Sequence, residues 1–304
     1  MGYVDLQVNG YAGVDFNGDE LDETQLLTAC ERLAADGVDQ ILATIITAPI
    51  DKMIKRIGTL ARLIEGDRAI QQMIGGLHIE GPFLNPVAGF IGAHPSDCAQ
   101  VATVDVAQRL IDAAGGYSRL LTLAPEMDPH GAVTKWLADQ GVTVAAGHSD
   151  ASLDQLRCGL DNGLRMFTHL GNGCPPLLAR HDNIIQRVLY LSDQLMISFI
   201  ADGHHVPDFA LANYLKQVPD NHIVIVSDAI SAAGLGAGEY RVSDQTVYVD
   251  EDGAAWAAAR THYAGCATPL AHMAAWLKSK LGIGQAQIEQ WFEQNPKRLL
   301  HNNG

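Results

Sequence analysis

The chain has 304 residues, 47% of them hydrophobic and 18% charged, enough for one large core. Its net charge of −15 argues against a nucleic-acid binder, which carries a basic surface. No apolar run approaches the roughly 20 residues of a membrane span, and MGYVDLQVNG at the N-terminus does not read as a secretory signal. Five scattered cysteines without a C-x-x-C argue for a reducing, cytoplasmic setting over a disulfide scaffold.

Tyr3–Val8 alternates and meets Asn9-Gly10, which reads as a strand and a turn. Leu26, Leu27, Cys30, Leu33 and Ala34 repeat at helical spacing, with Gly37 as a stop. Gln40–Ile46 is a second strand, and Ile54, Ile57, Leu60, Ala61 and Ile64 form the next helical stripe. Met73–Ile79 is the third strand. A Gly- and Pro-rich loop over 80–100 follows, and loops of that length in a compact domain are usually functional or disordered. Helix and strand then alternate. Helices are predicted around 104–114, 132–140, 153–160, 184–191 and 209–217; strands over 120–123, 142–146, 164–167, 195–200 and 222–226.

Eight strand–helix alternations predict a parallel sheet closed into a (β/α)8 barrel, with residues 1–304 as one domain. A small hairpin is predicted within Gly238–Asp252. Two helices follow, about 269–281 and 285–294, the second ended by Asn295-Pro296.

Four strands end in a residue able to do chemistry. Glu80 closes strand three before Gly81-Pro82, His148 follows strand five, His169 strand six and Asp228 strand eight. Each alone has a plainer reading. A histidine at a strand end is usually a hydrogen-bonded structural residue, a glutamate before Gly-Pro a turn acceptor, and Asp228 a cap. Together at one end of a barrel they face its catalytic side. Glu/His/His is a catalytic zinc set that leaves a position open for water. Asp228 then stands where it can take the water's proton and deliver it to a leaving group. His94 lies in the long loop, where a histidine is more often solvated. His204-His205 follows strand seven, with one ring expected to face the site and the other to pack outward. Asn172-Gly173 reads as a turn whose N–H groups suit an anion, and Arg180 as a surface arginine.

At these residues the chain resembles the N-acetylglucosamine-6-phosphate deacetylases of the amidohydrolase superfamily. The matching stretches are VDLQVNGYAGVDFN (4–17), GLHIEGPFLNP (76–86), GAHP (92–95), AGHSDA (146–151), THLGNGCPP (168–176), ADGHHV (201–206) and VSDAI (226–230). The resemblance implies one divalent ion per subunit, zinc by expectation, on Glu80, His148 and His169, with Asp228 as general base and acid. It implies that His94 polarises the acetamide carbonyl and that His205 contacts the sugar or its phosphate. It also implies phosphate binding by Asn172 and Gly173, and by Arg180 across a homodimer interface. Two-metal superfamily members carry a His-x-His after the first strand; Gln7 and Asn9 occupy those positions, as in a one-metal form. The family's small β-sandwich, made from both chain ends, is expected to be lacking. The stretch GNGCPPLLARHDN departs from the family's usual run, so deacetylation rests on more matching residues than the 6-phosphate does. Ala264-Gly265-Cys266 stands where the family has Ala-Gly-Ser. The alternatives are another N-acyl substrate on the same site, or a non-catalytic sugar-phosphate-binding barrel.

Overall fold

Eight short parallel strands follow one another around a single sheet in chain order: β1 Tyr3–Val8, β2 Val38–Ile46, β3 Ile74–Glu80, β4 Ser118–Leu123, β5 Thr143–Ala146, β6 Leu164–Phe167, β7 Met196–Phe199 and β8 Ile223–Ile225. The computed structural model describes residues 2–242, 245–260 and 263–301. The strands are buried on both faces because helices cover the outside while side chains fill the inside, among them the polar Gln7, Thr44, His78 and Thr122. Capping residues set several of these helices. Asp22 and Ser152 each accept from the backbone N–H three residues on, in capping boxes closed by Gln25 and Gln155.

The barrel closes at the seam between β8 and β1. No full ladder forms there. A parallel bridge joins Val8 to Ala229, and Asn9 N–H donates to the Ala229 carbonyl at 2.7 Å. The buried Asp5 carboxylate accepts from the backbone N–H groups of Ser227 and Gln7. Burial pushes the Asp5 carboxyl up to about 7 despite those donors.

Beyond the barrel, the predicted hairpin is present as β9 Gly238–Val242 and β10 Gln245–Val249. A third strand that the sequence reading missed, β11 Ala255–Ala257, completes a small antiparallel sheet. Among the described residues, the other sheet is a two-residue pairing of Gly10–Tyr11 with Val14–Asp15, where only a turn was expected. A short helix, Arg68–Met73, capped by Asp67, precedes β3, so Met73 is helical and not strand. No helix of the described residues is long and apolar enough to cross a membrane.

A further expectation fails at the C-terminal helices. Asn295-Pro296 does not end the last helix: Gln285–Glu289 runs through a π-helical turn, Gln290–Gln294, into a further helix, Asn295–His301. Proline is tolerated there because it sits in a helix's first turn. Asn295 Nδ2 donates to the carbonyls of Asp220 and Ile223, tying that turn to the start of β8.

The C-terminal end of β3 is held tightly. Thr47 Oγ1 donates to the Glu80 carbonyl at 3.0 Å, and Gly81 N–H donates to the Thr122 carbonyl at 3.0 Å. Gly81 has φ +89°, and a Cβ there would lie 2.1 Å from Thr47 Oγ1. Gly81→Ala is therefore expected to destabilise the fold by about 2–4 kcal/mol, read as a lowered denaturation midpoint at unchanged m-value; a midpoint equal to the parent's would contradict this packing.

Candidate active site

Glu80 reaches the barrel mouth from the end of β3 and is 2% exposed. A buried carboxylate of this kind needs strong donors or a cation. Its Oε1 lies 3.1 Å from His169 Nε2 and 3.3 Å from His148 Nε2, and accepts from Gln7 Nε2 at 3.0 Å. Burial works to raise the Glu80 carboxyl, yet the His148 and His169 contacts hold it well below its ordinary range. Burial also opposes charge on His169, and the Glu80 hydrogen bond reverses that, leaving His169 raised.

The tautomer of His148 shows what this arrangement suits. Its Nδ1 lies 2.9 Å from the Phe90 carbonyl oxygen, which can only accept, so Nδ1 carries a proton. In the neutral ring, Nε2 then presents a lone pair, aimed at a carboxylate oxygen 3.3 Å away. Two acceptors face each other at that distance only with positive charge between them. The ligating atoms of Glu80, His148 and His169 all lie within 4.8 Å of one another, and an oxygen with two imidazole nitrogens is a donor set for a divalent ion. The backbone carbonyl that fixes His148 is the usual outer partner of a metal-binding imidazole.

The other anticipated residues fall around this trio. His94 swings in from the long loop, its Nε2 3.3 Å from His148 Nε2 and 3.7 Å from Glu80 Oε2. It is buried, and burial, reinforced by His148, pushes its pKa down to about 3, so the ring is neutral. Asp228 is pushed up to about 6 by burial and then by the Glu80 charge. Asn9 Nδ2 donates to Asp228 Oδ1 at 2.7 Å. Asn172 turns back on the His169 carbonyl, through both its backbone N–H and its side chain. Gly173, at φ +61°, leaves no room for a Cβ, which would lie 2.9 Å from His148 Nδ1. Arg180 sits on the exposed loop beyond and joins no ion pair among the described residues. His204 and His205 part company: His204 Nε2 bonds the Asp252 carbonyl, and His205 Nδ1 bonds Asp202.

Among the described residues, six non-glycines have positive φ, and His148, His169 and Asp228 are three of them. Such strain costs about 1–3 kcal/mol per residue and gathers where side chains must be aimed.

Sequence reasoning missed the supporting shell. Gln7 and Asn9 lie two apart at the end of β1, on one face, and bond Glu80 and Asp228 respectively. Thr168 Oγ1 donates to Gln7 Oε1, which turns the amide's donor towards Glu80. Ser198 Oγ accepts the backbone N–H of His169. The resemblance marked the first two positions, where two-metal superfamily members carry histidines; the others depend on contacts between distant strands.

No family model matches the sequence. Individual proteins do. The human N-acetylglucosamine-6-phosphate deacetylase is 32% identical over 258 residues, covering 82% of this chain and 61% of that protein. The N-acetylgalactosamine-6-phosphate deacetylase of Escherichia coli O157:H7 is 30% identical over 245 residues, covering 81% of this chain and 63% of that protein. The chain thus spans about three fifths of these curated relatives. Among solved structures, the N-acetyl-D-glucosamine-6-phosphate deacetylase of Mycobacterium smegmatis superposes with a TM-score of 0.87 at 26% identity. The match covers 98% of this chain and 77% of that one. A mutant of the same enzyme, in complex with N-acetyl-D-glucosamine-6-phosphate, matches equally well.

A divalent ion bound by the folded state alone would stabilise it, by about 2.7 kcal/mol at a hundredfold excess over its dissociation constant. Stripping with a chelator is expected to lower Tm, and divalent ion to restore it. In Glu80→Gln the response to added ion should disappear. A chelator-insensitive Tm would contradict this reading of the trio.

Proposed function

The described barrel is homologous to that of the N-acetylglucosamine-6-phosphate deacetylases, and on that premise we propose that the chain hydrolyses the acetamide of an N-acetylhexosamine 6-phosphate to the amine and acetate. The whole chain acts as one catalytic domain in this reading, as a cytoplasmic homodimer. The observation that carries it is the carboxylate of Glu80 facing the Nε2 atoms of His148 and His169.

Those three side chains would hold one divalent ion, zinc by expectation. Such an ion supplies Lewis acidity, which acidifies a water and polarises a carbonyl. The remaining steps belong to side chains of this protein. Asp228 accepts the proton of the attacking water and passes it to the leaving amine. Asn9 engages Asp228 Oδ1, which leaves Oδ2 for that transfer. His94, kept neutral by burial, would carry its proton on Nε2 and donate it in a hydrogen bond to the acetyl carbonyl oxygen, where negative charge develops as the water adds. His205 contacts the sugar. Asn172 and Gly173 bind the 6-phosphate through the turn after His169. Arg180, exposed on its own subunit, reaches a phosphate bound by the other. Gln7, in place of a ligand histidine, donates to Glu80 and so favours a single ion.

A second reading differs only in the sugar. The relative that acts on N-acetylgalactosamine 6-phosphate matches at 30% identity, close to the 32% of the glucosamine enzyme, so sequence distance does not choose between the epimers.

Acetate release should be followed with both 6-phosphates and with both free sugars. The proposal expects turnover of at least one phosphate ester and a far lower kcat/KM on the free sugars. Asp228→Asn should keep its metal content and lose about 10²–10⁴ in kcat. Turnover retained by Asp228→Asn would remove Asp228 as the base, and turnover of other N-acyl compounds alone would replace the substrate class.

A further inference from the structure

Beside the Glu80 trio lies a second knot of polar side chains. It centres on Asp202, in the turn after β7, and this carboxylate uses all its accepting capacity locally. Oδ1 accepts the backbone N–H groups of His204 and His205, both at 2.9 Å. Oδ2 accepts from His205 Nδ1 at 2.7 Å and from the Cys266 thiol at 3.5 Å. The carboxylate side chain is 2% exposed and the imidazole 10%. Burial would raise the Asp202 carboxyl; the His205 contacts reverse this and hold it down at about 2, so it is an anion.

We propose that Asp202 is a positioning residue. It fixes His205 in the tautomer that carries its proton on Nδ1, so that Nε2 presents a lone pair to a donor on the substrate. This rests on the reading of His205 as a sugar contact and deepens it. The hydrogen-bond partner of His205 then has to be a donor of the sugar, a hydroxyl or the acetamide N–H, because a phosphate dianion offers no proton to a bare ring nitrogen.

Three features support the assignment. An ionised carboxylate accepts only, so the short contact places a proton on Nδ1, and in the neutral ring Nε2 is then bare. No hydrogen bond among the described residues uses His205 Nε2, although Nδ1 is fully engaged. The ring is also blocked from turning: Tyr263 lies against it, ring centroids 5.1 Å apart, and Trp256 of β11 backs Tyr263 at 4.4 Å. The small sheet beyond the barrel thus braces one side of the ring while Asp202 grips the other.

Cys266 belongs to the same device. Burial, then the negative charge of Asp202, pushes its pKa well above the ordinary thiol value, so it stays a protonated donor to the carboxylate. Its backbone N–H donates to the Asp228 carbonyl and its carbonyl accepts from Ile230 N–H. The segment carrying the proposed base is therefore pinned to the segment that orients His205. A hydroxyl can replace this thiol as donor.

Asp202, His205 and Cys266 also bring their ligating atoms within 4.8 Å of one another, a spacing compatible with a metal ion. The hydrogen-bond geometry favours the metal-free pair, Asp202 carboxylate with His205 Nδ1–H: 2.7 Å is a charge-assisted N–H···O distance.

The test is to record the ring-nitrogen NMR shifts of His205 in the zinc-loaded full chain, assigned by loss of the signal in His205→Gln. The parent should show a protonated Nδ1 and a bare Nε2. In Asp202→Asn the amide presents a donor to Nδ1, so the proton should move to Nε2. There kcat/KM should fall about 10–100-fold with zinc content unchanged. Asp202→Glu and Cys266→Ser should restore or keep the parental tautomer. A parent already protonated on Nε2, or a tautomer reversal with no loss of kcat/KM, would overturn the proposal. So would a second equivalent of zinc that Cys266→Ser removes. If the parent cleaves no N-acetylhexosamine derivative, the functional reading fails separately, and the tautomer in parent and Asp202→Asn still decides the role of Asp202.

Discussion

A carboxylate buried in the mouth of a barrel and faced by imidazole nitrogens is the constraint on which this structure turns. Glu80 cannot stay ionised in so dry a place unless positive charge meets it. The Phe90 carbonyl removes one way of meeting that need cheaply, because it commits the first proton of His148 to Nδ1 and leaves a lone pair towards Glu80. A cation shared by Glu80, His148 and His169 satisfies all three at once, at a cost that replacing any one of them would expose.

The fold serves this constraint in two ways. The parallel strands deliver Glu80, His148, His169 and Asp228 to one end of the barrel, and local strain then aims three of them: the histidines and Asp228 have positive φ. Beneath them the interior is unusually polar. Gln7 bridges Thr168 to Glu80, and His78 links Thr44 to Thr122 while burial pushes its pKa down to about 4 and keeps it neutral. These bonds cross from strand to strand, and the direction of Glu80 is set by Gln7 and Thr168 beneath it.

Much of this was legible in the chain because periodicity reports burial. Every barrel strand and its covering helix followed from runs and stripes of apolar residues, and Glu80 stood out as a charge ending such a run. What escaped depends on contacts that sequence spacing does not carry. The π-helical turn at Gln290–Gln294 lets the chain continue past Asn295-Pro296, and its anchor is Asn295 reaching the start of β8. The third strand, Ala255–Ala257, is three residues long and exists because Val247–Val249 offers it a partner. Asp202 drew no reading of its own in the sequence, and Cys266 only that of a residue standing where the resembling family has serine. Only their meeting at one carboxylate oxygen, 64 positions apart, gives them a role.

The central claim concerns the atoms that hold the ion, and X-ray absorption at the metal edge of the zinc-loaded chain addresses it most directly. The account predicts about one zinc per chain with only oxygen and nitrogen neighbours, near 2.0–2.2 Å, and the imidazole contribution diminished in His148→Ala and His169→Ala. A sulfur neighbour near 2.3 Å, or a spectrum unchanged by those substitutions, would place the ion elsewhere and contradict the account.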